Sequence, residues 1–226
     1  LNTPKQDVIQ AITSRRSVSA YLGQDVNDEV IKNILEVAAR ATSGTNIQPW
    51  HVHVVKGDSK QKIIDLCLAA HNANDQGKEP YPYYPDEWAD PYLSRRRKIG
   101  YDLYGLLEIK KNDRARMHQQ FGEYYTFFGA PVGLFFSIDN SLNVGSWLDY
   151  GMFLQNIMIA ARAFGLHTCP QAAFIKYAHL INPVLGVKDD QTLLCGMALG
   201  YEDETALINH FKTVREPVEG FTTFLD

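Results

Sequence analysis

The sequence predicts an α+β domain, with a three- or four-stranded sheet and helices on both of its faces. Three observations lead there. The chain has 226 residues, which suits one large domain with a substantial core. Its periodic segments run helices, strand, helices, strand, helix, helix, strand, which is not the strict βαβ alternation of a parallel sheet. Residues 146–165, "SWLDYGMFLQNIMIAARAFG", are apolar nearly all round, so that helix needs cover from a thick core or from another subunit.

Each element has a local reason. "PKQDVIQAI" (4–12) places Val8, Ile9, Ala11 and Ile12 on one helical face. "NDEVIKNILEVAARA" (27–41) is a second helix. Asn27 caps it, Asp28 and Glu29 suit its positive end, and Val30, Ile31, Ile34, Leu35 and Ala38 form the stripe. "WHVHVV" (50–55) alternates and is rich in β-branched residues, as a strand is. "SKQKIIDLCLAAHNA" (59–73) reads as helix. Residues 74–94 hold prolines, tyrosines and a tryptophan and read as a long irregular connection, which is more often functional than not. Helices are expected at about 95–111 and 113–128, and "PVGLFFSI" (131–138) as a strand. The apolar helix 146–165 is closed by Gly165. A short helix near 174–182 and the strand "TLLCGMALGY" (192–201) complete the core. From Glu202 onward the chain reads as extended or wrapping. The whole is a single domain, 1–226, with a variable insertion at about 74–130 and a C-terminal extension at about 202–226.

Bulk properties exclude several functions. The net charge of −4 gives no electrostatic reason to expect nucleic acid or an anionic membrane as partner. No run approaches the roughly 20 apolar residues of a bilayer span. The first ten residues lack a basic region followed by an apolar stretch, so no signal peptide is visible and a cytoplasmic location is expected. Cys67, Cys169 and Cys195 are odd in number and widely spaced, which suits isolated buried thiols in a reducing compartment. The histidines are scattered. His51 and His53 share a strand face, where packing is a better account than metal ligation, and no metal is expected.

Two stretches carry chemistry. "SRRSVSAY" (14–21) sets two guanidinium forks, Arg15 and Arg16, beside the hydroxyls of Ser17 and Ser19, a pattern that matches phosphate oxygens. A solvated helix end would look the same. "SGTNIQPW" (43–50) places small and amide-bearing residues between a helix and a strand, which serves a plain loop or the rim of a flat ligand rich in hydrogen-bonding edges. No GxGxxG follows a strand, and no P-loop, HExxH, CxxC or GxSxG occurs, so Rossmann, P-loop, zincin and serine-hydrolase chemistry have no support. "RRRK" (95–98) reads as the charged face of a helix.

"RRSVSAY", "SGTNIQPW", "GMFLQNIMIAARAFGLHTCPQAAF" and "LGYED…VREPVE" occur in this order, and together they resemble the FMN-dependent nitroreductase family. The resemblance spans the chain except residues 74–130. It implies a nitroreductase-like fold with a central, mostly antiparallel sheet flanked by helices, forming an intertwined homodimer with FMN at the interface. Arg15, Arg16 and Ser17 would hold the phosphate and ribityl chain. Ser19 stands where similar proteins carry Arg or Lys, so only a hydroxyl or backbone contact is expected of it. Ser43, Gly44, Asn46 and Gln48 of the partner subunit would border the ring, with Pro49 and Trp50 fixing that loop. Pro170, Gln171, Ala172 and Ala173 would pass the ring edge near N5, and Gly200 and Arg215 would return to the phosphate.

The reaction implied is reduction of nitroaromatic compounds by NADH or NADPH in a ping-pong scheme through flavin N5, with no catalytic side chain. Arg16 is a candidate to stabilise negative charge on the reduced ring. Tyr81, Tyr83, Tyr84 and Trp88 of the insertion, with Tyr124, offer rings for stacking on a small aromatic substrate. For Tyr125, Phe127 and Phe128 ordinary packing is the better reading. Flavoenzymes of the same fold that act on enones, quinones or halogenated aromatics, or a non-catalytic FMN-binding protein, would carry the same motifs.

Overall fold

The computed structural model describes residues 7–225. Helix α1, Val8–Ser14, starts on Asp7, whose carboxylate accepts from Gln10 N at 2.7 Å; residues 4–6, where the sequence also suggested helix, lie outside the described residues. Helix α2, Asp28–Ala38, is capped by Asn27, which accepts from Glu29 N at 2.8 Å. Strand β1, His51–Val55, and helix α3, Gly57–Asn72, follow. After the irregular stretch come α4, Tyr92–Leu106, and α5, Arg114–Gly122. Then come β2, Val132–Asp139; α6, Val144–Ala163; β3, His167–Gln171; α7, Ala178–Leu185; and β4, Gln191–Gly200. No helix among the described residues is long and apolar enough to cross a membrane.

The strands form one antiparallel sheet in the order β1-β2-β4-β3. Along β2, side chains alternate between two cores, as the pleat requires. Leu134, Phe136 and Ile138 pack with Ile31 and Ile34 of α2 and with Tyr150, Phe153 and Ile157 of α6. Phe135 points the other way, into Ile63 of α3, Ile181 of α7, Tyr125, Phe127 and Phe174. Close approach dictates two glycines. A Cβ on Gly133 would meet the Phe127 ring at 2.5 Å, and one on Gly196 the Phe174 ring at 2.6 Å.

Three expectations need correction. The helix expected over 113–128 stops at Gly122. Residues Glu123–Gly129 form a tight turn, with Phe127 and Phe128 in left-handed backbone (both φ 55°) so that both rings drop into the core. The expected helix near 174–182 is a 3-10 turn, Ala172–Tyr177, leading into α7. Strand β3 was not anticipated, because His167–Gln171 is polar and contains Pro170. Its place at the sheet edge explains the tolerance for a residue with no N–H to donate.

Candidate functional site

The segment after α1 lies along the outer edge of β3. Val18 N donates to Thr168 O at 3.3 Å, and Ser17 bridges Thr168. Beyond it, Tyr21 bridges Glu202. Ser19 N donates to Asn209 Oδ1 at 2.9 Å, and the Asn209 amide donates to Ala20 O and Asp203 O. The extended tail therefore holds this segment in place through buried Asn209, which the sequence did not single out.

Arg15 and Arg215 come together from opposite ends of the chain. The Arg15 guanidinium is held below its ordinary value by partial burial and by the neighbouring Arg215 cation. Neither has a carboxylate partner among the described residues. Two nearby cations without a carboxylate partner are a candidate anion site. Arg16 behaves differently. One end of its guanidinium donates to Glu202, whose side chain is 4% exposed. Arg16 is thus paired at one end of its guanidinium, while its buried Nε has no hydrogen-bond partner. Gly200 has a packing role. It is buried opposite His167, where a Cβ would meet Pro131 at 2.7 Å, so packing accounts for the glycine.

The loop 43–48 is folded upon itself. Gly44 N donates to Asp149 Oδ2 on α6 at 3.1 Å, and Gln48 N donates to Ser43 Oγ at 3.1 Å. Thr45, Asn46 and Gln48 all have positive φ (48°, 60° and 49°), an uncommon cost for non-glycine residues. Pro49 is buried, and Trp50 stacks on Phe153 at 4.6 Å and 8°. These anchors hold the strained loop with the Asn46 and Gln48 side chains exposed. At the end of β3, Pro170 is exposed and Ala172 and Ala173 are half-buried. Gln171 is fully buried, and its amide donates to Tyr124 O at 2.6 Å. Its side chain thus fixes the turn from below and leaves only its backbone for a ligand.

The insertion forms a chain of rings. Tyr81 meets Trp147 of α6 edge-on at 4.7 Å, and its hydroxyl donates to Leu194 O. Tyr83 meets Tyr84 at 4.7 Å, Tyr84 meets Trp88 at 5.4 Å, and the Arg96 guanidinium covers Trp88 at 5.0 Å. Tyr83 and Tyr84 remain exposed stacking surfaces. Tyr81 also braces the insertion through these two contacts, and Trp147 is a partner the sequence missed. Burial pushes the Tyr124 hydroxyl up to about 12, with Cys169 and Tyr84 nearby. Tyr124 packs against Phe121 and Phe128 at 5.2 and 4.9 Å. His51 and His53 contact Asp139 at 3.2 Å and Ser137 at 3.3 Å, and the described residues hold no metal-binding cluster.

The two halves of the site hang on opposite ends of one helix. The loop is tied to Asp149. The arginine segment is tied to Arg162, whose Nε donates to Ser14 Oγ at 3.3 Å. At a rise of 1.5 Å per residue, these anchors are roughly 20 Å apart along α6. The outer face of α6 is open along a groove of about 550 Å³ lined by Ala41, Trp147, Leu148, Gly151 and Met152. Val8 and Ile9 of α1, Leu148 of α6, and Phe221, Phe224 and Leu225 of the tail are exposed.

Comparison with known proteins adds independent evidence. A family model described as the Nitroreductase family matches residues 12–201. The chain is 43% identical to a 4-nitrobenzoate reductase of Pseudomonas putida, over 97% of this chain and 96% of that one. It superposes with a TM-score of 0.94 on the FMN and NADPH-dependent nitroreductase NfnB of a Sphigopyxis strain, at 34% identity, over 98% of this chain and all of that one. A second solved structure, the FMN-dependent nitroreductase NfnB from Mycobacterium smegmatis in complex with NADPH, gives a TM-score of 0.92 at 30% identity, over 96% and 97% of the two chains.

Proposed function

The chain belongs to the nitroreductase family, and from that premise we propose that it is an FMN-dependent oxidoreductase using NAD(P)H to reduce nitroaromatic compounds. The observation that carries the proposal is the Arg15 guanidinium near that of Arg215, neither with a carboxylate partner among the described residues. The residues present fit the cofactor. Buried polar atoms without hydrogen-bond partners include Arg16 Nε, Tyr21 OH and Thr168 Oγ1, all on the paired segments 16–21 and β3. A phosphorylated polyol brings the acceptors and donors that such atoms lack.

The two-ended arrangement on α6 supports a homodimer. Two copies pairing their α6 faces head to tail would bring the loop of one beside the arginines of the other. The exposed apolar residues of α1, α6 and the tail supply the surface to be buried. In this arrangement Arg15, Arg215 and Ser17 hold the phosphate. Ser43, Gly44, Asn46 and Gln48 of the second copy present polar groups to the ring's polar edge, and Pro170–Ala173 pass along it. Bound FMN supplies hydride acceptance from NAD(P)H and donation to a nitro group. Tyr83, Tyr84 and Trp88 stack against the flat substrate. No protein nucleophile is required, and burial pushes the thiols of Cys67, Cys169 and Cys195 up to about 12, where they stay protonated. One position for reductant and oxidant gives ping-pong kinetics. A cytoplasmic setting supplies NAD(P)H and keeps these unpaired cysteines reduced.

The test is spectroscopic. Protein saturated with FMN is titrated under argon with NADH or NADPH, then with 4-nitrobenzoate or nitrobenzene. Bleaching by a nicotinamide and recovery with the nitroaromatic are expected. Visible absorbance that neither nicotinamide bleaches rejects the reading.

A further inference from the structure

The group around Glu202 forms a closed ring of contacts that the reaction itself does not call for. Arg16 donates to Glu202 Oε1. Glu202 Oε2 lies 3.2 Å from His167 Nε2, close to it but not aligned as a hydrogen bond. His167 Nδ1 accepts from the Arg162 guanidinium at 3.0 Å. The same guanidinium donates to Leu166 O at 2.9 Å and, through Nε, to Ser14 Oγ at 3.3 Å. Ser14 stands two residues before Arg16, so the ring closes through the backbone of Arg15.

The chemistry of each member is fixed by its neighbours. A guanidinium only donates, so the lone pair of His167 faces Arg162 and its proton sits on Nε2, toward Glu202. His167 is held neutral, its imidazole pushed down to about 3 by burial first and then by the Arg162 and Arg16 cations. Against the guanidiniums of Arg15, Arg16, Arg162 and Arg215, the described residues around the segment supply one buried carboxylate, Glu202. Both residues flanking Arg15 are thereby tied down, while its own guanidinium is left out of the ring and faces Arg215.

We propose that Glu202, His167 and Arg162 are positioning residues: they clamp Ser14 and Arg16 so that Arg15 is presented, pre-oriented, to the phosphate of the cofactor. The proposal rests on the FMN reading above. Its alternatives differ in sign. If Glu202 were only an anion near the phosphate, removing its charge would strengthen FMN binding. If the ring served folding alone, its loss would lower stability and leave FMN affinity unchanged.

The test is FMN titration of the folded apo-dimer of wild type, Glu202→Gln, Ser14→Ala, Arg15→Ala and the Arg15→Ala/Glu202→Gln double variant, read by flavin fluorescence. Glu202→Gln is expected to weaken FMN by roughly tenfold, and Ser14→Ala less but in the same direction. The double variant is expected to bind little worse than Arg15→Ala alone, because the clamp acts through Arg15. Unchanged or tighter binding in Glu202→Gln, or additive losses in the double variant, overturns the proposal. Should Glu202→Gln fail to fold, Ser14→Ala and Arg162→Lys decide, and unchanged affinity in both overturns it. A wild type that does not bind FMN rejects the underlying reading instead. A wild type weakened by Arg15→Ala but not by the clamp variants rejects this inference alone.

Discussion

The backbone N–H of Gly44 donates to Oδ2 of Asp149 at 3.1 Å, hanging the loop 43–48 from the first half of α6. The loop carries three left-handed residues that are not glycine, so it needs such an anchor to keep its shape. Asp149→Ala is expected to cost about 1–3 kcal/mol through the unpaired amide and to weaken FMN binding. Asp149→Asn keeps an acceptor and should restore most of both. Urea unfolding and flavin titration measure the two effects. An alanine variant that binds FMN normally would show that the loop does not border the flavin.

The Arg15–Arg215 pair predicts two parallel losses. Arg15→Ala and Arg215→Ala should each weaken FMN retention by about 1.5–3 kcal/mol, roughly 10- to 150-fold in dissociation constant. Riboflavin, which lacks the phosphate, should bind both variants as it binds wild type. Equal losses for FMN and riboflavin would remove the arginines from the phosphate site.

The open face of α6 predicts the oligomeric state. Leu148→Glu places a charge on an exposed apolar position of that face. In light scattering after gel filtration, wild type should run as a dimer and the variant as a monomer that has lost FMN. A wild-type monomer that retains FMN would contradict the shared site.

His167 predicts an acid-side slope in stability. Its value falls from the ordinary 6.5 to about 3 in the folded chain, chiefly through burial. Below pH 6.5 the unfolded chain takes up a proton that the folded chain refuses. Stability is therefore full above 6.5 and declines as pH drops toward 3, by no more than about 1.4 kcal/mol per unit. His167→Gln, which has no such proton to refuse, should flatten the slope between pH 6.5 and 5 in urea unfolding. Parallel curves for the two proteins would contradict the burial argument.

The residues of the insertion divide by exposure. Tyr84→Ala removes an exposed ring and should raise KM for nitroaromatics while kcat measured with excess substrate changes little. Tyr81→Phe removes the hydroxyl bonded to Leu194 O and should instead lower stability, with KM unchanged. Reversed effects would exchange the brace and the stacking surface.

What the sequence determined by itself is what short-range physics controls. Asn27 and the stripe of Ile31, Ile34 and Ala38 make α2 in any context, and "WHVHVV" is a strand by its own alternation. The ordered motifs likewise named Arg15, Arg215 and the loop 43–48 as candidate cofactor contacts. Tertiary structure decided what depends on partners distant in sequence. Phe127 and Phe128 leave helical geometry because Gly133 opens a space for the Phe127 ring. Pro170 lies in a strand because that strand is an edge. Arg16 is neutralised by Glu202, 186 residues away, and no local pattern encodes such a pairing. Local propensity and capping act over one or two helical turns, whereas burial and charge compensation depend on which segments the folded chain brings together.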